Sequence, residues 1–377
     1  MLETVFAVIV FLLAGILCSK LAAKNIFFVP ATLLAGIVLS AAFELYLPFN
    51  HTFLATIGFV SYVSILLFTS HKPQLHRLDV QQKRAFRLFI AFSVIFVFAL
   101  SLLFINNLQA QYGIAVFFAL TLCATTLPKI KLPSRVHEIL THERNYTALL
   151  SLVAPILAVP FFQNIPLSTA VSTIGQYAMS LVLGIGVGVF TGVIFSKILV
   201  HHQREDTIIA VLLLLLAGFL TFILSERLNS FGPLSVAALG LFLSHAPRRS
   251  TLERKHESEL NHLFVTYAVL GTGMLLSLPA SKNILLLTLL LAAIFYAARI
   301  IATYASIGTA LSMKEKLMLT FFSPVGPESL VLLLYFTTIL LPLGITAGNL
   351  LTLSQATILL VFTTHLISVI GVILKIR

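Results

Sequence analysis

Charge is scarce in this chain of 377 residues. Only 10% are Asp, Glu, Lys or Arg, against about 25% in an ordinary soluble domain. Acids are the rarer sign, 13 against 24 bases. Cysteine is nearly absent: Cys18 and Cys123 both lie in apolar segments and read as small buried hydrophobes, which excludes a disulfide scaffold. Nothing resembles a P-loop, and no exposed nucleophile stands beside a base, so neither a nucleotide-binding protein nor a hydrolytic enzyme is indicated. The first 18 residues lack a basic leader and an A-x-A cleavage site, so they read as a retained helix. The net charge of +11 does not point to nucleic acid, because the basic residues collect in short loops between apolar runs.

What the chain has in excess is apolar surface, 59% of its residues. No soluble fold of this length has a core able to hide that surplus, whereas a membrane-spanning helix needs about 20 such residues in succession. Apolar spans fall near 3–22, 26–44, 52–70, 86–106, 111–128, 135–162, 171–199, 206–226, 231–245, 260–278, 283–307, 317–341 and 352–374. The pattern predicts an all-α polytopic membrane protein of thirteen transmembrane helices in a single domain. Its seventh span is long enough to require tilt or a bend. With the N-terminus outside, the odd-numbered connections and the C-terminus carry 21 of the 24 basic residues. Lys and Arg gather on the cytoplasmic side, so the expected topology is N-terminus out, C-terminus in. A G-x-G-x-G string at Gly184, Gly186 and Gly188 lies inside a span and implies close helix packing or bending, not a dinucleotide site. The sequon Asn145-Tyr146-Thr147 falls on the cytoplasmic side or in the membrane, out of reach of glycosylation.

Beneath the count lies a symmetry. The fifth span ends in Thr125, Thr126 and Pro128, and the twelfth contains Pro324, Gly326 and Pro327. These are the fifth members of two six-helix halves, 1–170 and 204–377, on either side of a seventh helix within 171–203. An odd helix between the halves makes them inverted repeats. Proline removes a backbone donor, and such a break inside a bilayer survives only where protein or a wet cavity satisfies the freed groups. Paired breaks in opposed halves point to a transport site near the midplane.

The costliest side chains lie near these breaks. Arg299, deep in the eleventh span, needs a partner inside the bundle. Glu328, directly after the twelfth-span break, suits a half-helix N-terminus. An Arg299–Glu328 ion pair pinning two helices is one expectation. Glu143 is a competing partner if the sixth helix begins near Arg135, and proton handling by Glu328 or Glu143 is compatible with either. Thr147 and Ser151, four apart, share one face. With Thr126 and Ser329 they supply neutral oxygens able to coordinate Na⁺ or K⁺. His365 reads as a core histidine. No pair of histidines forms a metal site, and no cofactor, nucleotide or resident metal is implied.

Several stretches resemble the monovalent cation:proton antiporter family, in its thirteen-helix Na⁺/H⁺ exchanger branch. Val29-Pro30-Ala31 with Gly36 looks like its second helix, and Leu66-Leu67-Phe68 like the end of its third. The run from Ser225-Glu226 through Phe231-Gly232-Pro233-Leu234 to Ala237-Ala238-Leu239-Gly240-Leu241 resembles its pattern of an acid, a short turn, serine-glycine and a helix ending in alanine-glycine-leucine. Arg299 matches a basic residue of the family's eleventh helix. Gly326-Pro327-Glu328-Ser329 stands where the family opens the second half of its twelfth. The resemblance implies a homodimer in a bacterial-type cytoplasmic membrane, with a core domain moving as an elevator against a dimerisation domain. It implies exchange of a monovalent cation for protons, and no enzyme activity.

The departures fall on the chemistry. The family's aspartate in the broken fifth helix is Leu127, its ion-binding aspartate in the sixth is Ala148, and an arginine of the twelfth is Glu328. After Phe68, a glycine-rich acidic segment is replaced by Thr69-Ser70-His71-Lys72. Two functions follow: exchange through an atypical site whose proton carrier is Glu328 or Glu143, or a binding, sensing or scaffold relative that has lost exchange.

Overall fold

The computed structural model describes residues 2–22, 28–46, 51–70, 80–103, 112–126, 132–155, 167–202, 207–244, 251–276, 281–307, 310–340 and 347–373. They form fourteen α-helices: α1 (Leu2–Ala22), α2 (Phe28–Tyr46), α3 (His51–Ser70), α4 (Val80–Leu103), α5 (Tyr112–Leu122), α6 (Ser134–Val153), α7 (Leu167–His202), α8 (Thr207–Arg227), α9 (Gly232–Ser244), α10 (Thr251–Met274), α11 (Lys282–Ile307), α12 (Met313–Phe321), α13 (Glu328–Tyr335) and α14 (Ala347–Ile373). A π-helical turn, Phe336–Leu340, continues α13. Each apolar span thus contains one helix, except that the twelfth is split into α12 and α13. No β-strand occurs among the described residues, and their only β-type pairing is a single antiparallel bridge.

These helices are apolar on the outside as well as within. Val94 and Phe98 on α4, Val182 and Phe190 on α7, and Leu286 and Leu289 on α11 are each more than 60% exposed. Apolar patches of that extent do not face water on a monomeric soluble protein. Six helices among the described residues are long and apolar enough to cross a membrane on their own, Val80–Leu102 and Lys282–Ile307 among them. The chain is an integral membrane protein. Helix α7, at 36 residues, extends about 54 Å at 1.5 Å per residue. That exceeds a hydrocarbon layer of about 30 Å, so it must tilt or project beyond it.

The chain divides into two compact units. One comprises Met1–Phe59, Leu75–Phe162 and Val265–Arg377; the other comprises Val60–Gln74 and Gln163–Phe264. In the first, α11 packs against α4 and α14, while α6 packs against α4 and α5. Stacked and edge-on rings fill the layer between α4 and α11: Phe92 and Phe96 lie 5.3 Å apart, with Phe295 at 5.4 and 5.8 Å from them. Buried threonines here bond to the carbonyl four residues back, as Thr121 does to Phe117 and Thr272 to Ala268. This local bond keeps a hydroxyl satisfied without water.

In the second unit, α7, α8 and α9 pack on one another. A Cβ on Gly188 would lie 2.2 Å from the Ser235 carbonyl, and one on Gly184 would lie 2.9 Å from that of Phe231. Gly186 has open space instead. The glycine string therefore works with a period of four: Gly184 and Gly188 let α9 approach, and Gly186 does not take part. At the far end of α8, the Glu226 carboxylate accepts from the Gly232 N–H at 3.1 Å, capping α9.

Candidate functional site

Helix α5 ends at Leu122, and residues 123–126 leave it in an extended path. Helix α12 ends at Phe321, and the chain stays unwound until α13 begins at Glu328. The two unwound segments lie side by side, antiparallel, paired at Thr125 and Val325. The Thr126 N–H donates to the Pro324 carbonyl at 3.0 Å, and the Gly326 N–H donates to the Ala124 carbonyl at 2.8 Å. Sequence dictates this break. Pro324 and Pro327 have no N–H to give a helix. A Cβ on Gly326 would approach Ala124 Cβ to 3.2 Å and a Glu328 carboxyl oxygen to 2.5 Å.

The outer edge of Val325 is held by α14. Its N–H donates to Thr364 Oγ1 at 3.3 Å, and its carbonyl lies 3.0 Å from His365 Nε2. A carbonyl can only accept, so the proton of the ring sits on Nε2. Ser329 Oγ donates to the Thr121 carbonyl at 2.6 Å, tying the first turn of α13 to the last of α5. Freed backbone groups thus find partners on the opposite unwound segment and on α6, α13 and α14, as they must where no water reaches.

Helix α6 begins at Ser134, which puts Glu143, Thr147 and Ser151 one turn apart along its buried face. Arg299 and Glu143 are both 0% exposed and form a bidentate ion pair. Nη1 reaches Oε1, and Nη2 donates to Oε2 at 2.6 Å. The guanidinium also stands 5.2 Å from the Phe92 ring centroid. Its Nε has no hydrogen-bond partner among the described residues. The Arg299–Glu328 pair expected as one alternative is not formed: both terminal nitrogens of Arg299 are turned to the two oxygens of Glu143. One turn on, Thr147 Oγ1 lies 3.2 Å from Thr125 Oγ1 and accepts from the Thr125 N–H at 3.3 Å. Ser151 Oγ donates to the Ala148 carbonyl of its own helix at 3.1 Å.

Glu328 is 6% exposed. Its Oε2 is buried without a hydrogen-bond partner, and no ion pair joins it to any described residue. It stands in the first turn of α13, where the helix dipole favours an anion. Thr126 is half-buried beside the pairing. Thr125, Thr147 and Ser329 are thus gathered around the two unwound segments, whereas Pro128 and Leu127 lie outside the described residues. The parts played by Thr364 and His365 had no signal in the sequence beyond a histidine in an apolar run, because both act on backbone atoms of a distant segment.

The match to known proteins covers nearly the whole chain. A family profile for the sodium/hydrogen exchanger, transmembrane, matches residues 6–376. Among solved structures, the sodium proton antiporter MjNhaP1 from Methanocaldococcus jannaschii, determined at pH 8, aligns with a TM-score of 0.71. The alignment covers 99% of this chain and 97% of that one at 20% identity, a likeness of fold. No curated protein sequence matches.

Proposed function

Since the chain belongs to the sodium/hydrogen exchanger family, we propose that it exchanges a monovalent cation, Na⁺ or K⁺, for protons through an atypical site in which Glu328 carries the proton. The observation behind this reading is the buried, unpartnered Oε2 of Glu328. A carboxyl group with one oxygen free can take a proton or a cation in turn. Glu143 cannot do so without giving up its ion pair, so its role is to hold Arg299, and through it α6 to α11. Neutral oxygens beside the unwound segments, those of Thr126, Thr147 and Ser329, supply the remaining cation contacts. Ser151 is the weakest of that set, since it lies a turn beyond Thr147.

The architecture we assign to this function has thirteen crossings with the N-terminus outside and the C-terminus cytoplasmic. Two inverted six-helix repeats, 1–170 and 204–377, flank a linking seventh helix within 171–203. The protein would act as a homodimer in a bacterial-type cytoplasmic membrane. Alternating access requires a site that each face reaches in turn, and the paired unwound segments are where such a site is built. One observation favours a second reading, a binding, sensing or scaffold relative without exchange: Ala148 stands, buried, where the family has an ion-binding acid.

Reconstituted vesicles carrying an internal pH dye test both readings. Addition of Na⁺ or K⁺ to wild-type vesicles is expected to drive proton movement, and Glu328→Gln is expected to abolish it. Wild-type vesicles silent to Na⁺, K⁺ and Li⁺ across the pH range would favour the second reading. Undiminished exchange by Glu328→Gln would remove Glu328 from the mechanism.

A further inference from the structure

A cavity of about 300 Å³ lies between α4, the end of α5 and α6. Its rim is formed by Ile90, Val94 and Leu150, which are 45%, 62% and 39% exposed. Its inner wall includes Phe89, Leu120 and Cys123. The surface it presents is carbon almost throughout. Two serines contribute: the Ser151 hydroxyl turns back to its own helix, and the Ser93 oxygen is buried below the surface without a hydrogen-bond partner among the described residues.

That lining decides what can occupy it. Water needs two to four polar partners to settle in a cavity, and an apolar cavity stays dry. A cation would lose its hydration shell and gain nothing. Left empty, a space at the lower bound of known ligand pockets would deprive its walls of dispersion contacts on one side. The rim residues are apolar and exposed on helices of an integral membrane protein, a surface suited to hydrocarbon and not to water, so acyl chain is the medium expected at the opening. We propose that the cavity is a binding site for a lipid acyl chain, which enters between Ile90, Val94 and Leu150 and packs against the last turn of α5. Leu120 and Cys123 belong to the turn from which the extended segment at 124–126 departs. An occupant therefore bears on one arm of the paired unwound segments without touching Glu328 or Arg299.

The sequence contains no tryptophan, so a single introduced indole reports on its surroundings without background. Phe89→Trp places it in the inner wall, Phe98→Trp on the open outer face of α4 (65% exposed), and Phe96→Trp in the packed interior (0% exposed). Each full-length variant is reconstituted into phosphatidylcholine vesicles with plain or brominated acyl chains. Bromine quenching of Phe89→Trp is expected to approach that of Phe98→Trp and to exceed that of Phe96→Trp several-fold. Adding Ala154→Phe, which fills the cavity from α6, is expected to bring it down to the interior level. Leu120→Trp, from the opposite wall, replaces the reporter if Phe89→Trp does not fold. Quenching of either wall reporter no greater than that of Phe96→Trp would overturn the proposal. So would stronger quenching by aqueous acrylamide than by brominated chains, which would assign the cavity to water.

Discussion

The Arg299–Glu143 pair offers the sharpest test of how this bundle is held together. Both side chains are wholly buried and joined at both oxygens. Removing one member of such a pair leaves an uncompensated charge in a dry interior and costs about 3–5 kcal/mol. Glu143→Gln keeps the shape and one acceptor, so its loss should fall near the lower figure. Arg299→Ala strands the carboxylate and also removes the group resting on Phe92, so its loss should reach the upper figure. A buried ion pair is nevertheless weak evidence for net stability, because desolvating two charges offsets much of their attraction. Glu143→Leu with Arg299→Leu should therefore recover most of what either single change loses.

The measurement is unfolding by sodium dodecyl sulfate in mixed micelles, followed by circular dichroism. A loss of about 3 kcal/mol would lower the folded-to-unfolded ratio more than a hundredfold. Singles as stable as wild type would mean that the pair is not desolvated. A double variant as poor as the sum of the singles would mean that the two residues act through other neighbours, not each other.

Glu328→Gln should leave stability within about 0.5 kcal/mol, since it strands no partner, and the same unfolding titration checks this beside the vesicle assay. His365→Leu leaves the Val325 carbonyl without its donor and should cost about 1–3 kcal/mol. His365→Gln keeps a donor and should restore most of that loss; equal behaviour of the two would dissociate His365 from the unwound segment. Gly188→Val drives a side chain into the Ser235 carbonyl and should cost about 1–3 kcal/mol through overpacking, whereas Gly186→Val should be nearly silent.

At the exposed start of α12, Ser312 and Glu315 form a capping box, in which the Ser312 N–H donates to Glu315 at 2.8 Å. Those bonds hold the Glu315 carboxyl below the usual carboxylate range. A folded value lower than the unfolded one means stabilisation present above the unfolded value and lost as pH falls through the folded one. Ser312→Ala should therefore cost about 1 kcal/mol at neutral pH, and the gap to wild type should narrow as acid protonates Glu315, by the share carried by the Ser312 hydroxyl bond to its carboxylate; the bond from the Glu315 N–H to Ser312 Oγ is lost at every pH. A gap unchanged by acid would exclude Glu315 as its source.

Much of this was legible in composition and punctuation. Apolar runs locate the helices, because each must span the bilayer and carry its own backbone bonds. Pro324, Gly326 and Pro327 locate the break, because a missing N–H and a close approach are properties of the residue itself. Arg299 announces its need for a partner for the same reason. Which acid answers it was not legible from the residues alone, although the family resemblance implied Glu143. Glu143 and Glu328 are alternatives in one dimension, and only the register of α6 against α11 chooses between them. The clasp on Val325 was hidden as well, since a backbone carbonyl leaves no mark on the residues that reach it. Thr147 was singled out for its oxygen, and that oxygen meets Thr125, a contact that depends on where the unwound strand passes.

The endings of the interrupted helices have an electrostatic consequence of their own. Two carbonyl-terminated ends, those of α5 and α12, and one amide-terminated start, that of α13, converge on the paired segments. Each end carries about half a charge, negative at the carbonyls and positive at the amides, and Glu328 stands against the single positive one. With the carboxyl group ionised, the balance at the junction is negative before any ion arrives. For the exchange proposed above, a positive visitor would then be favoured even with leucine and alanine at 127 and 148.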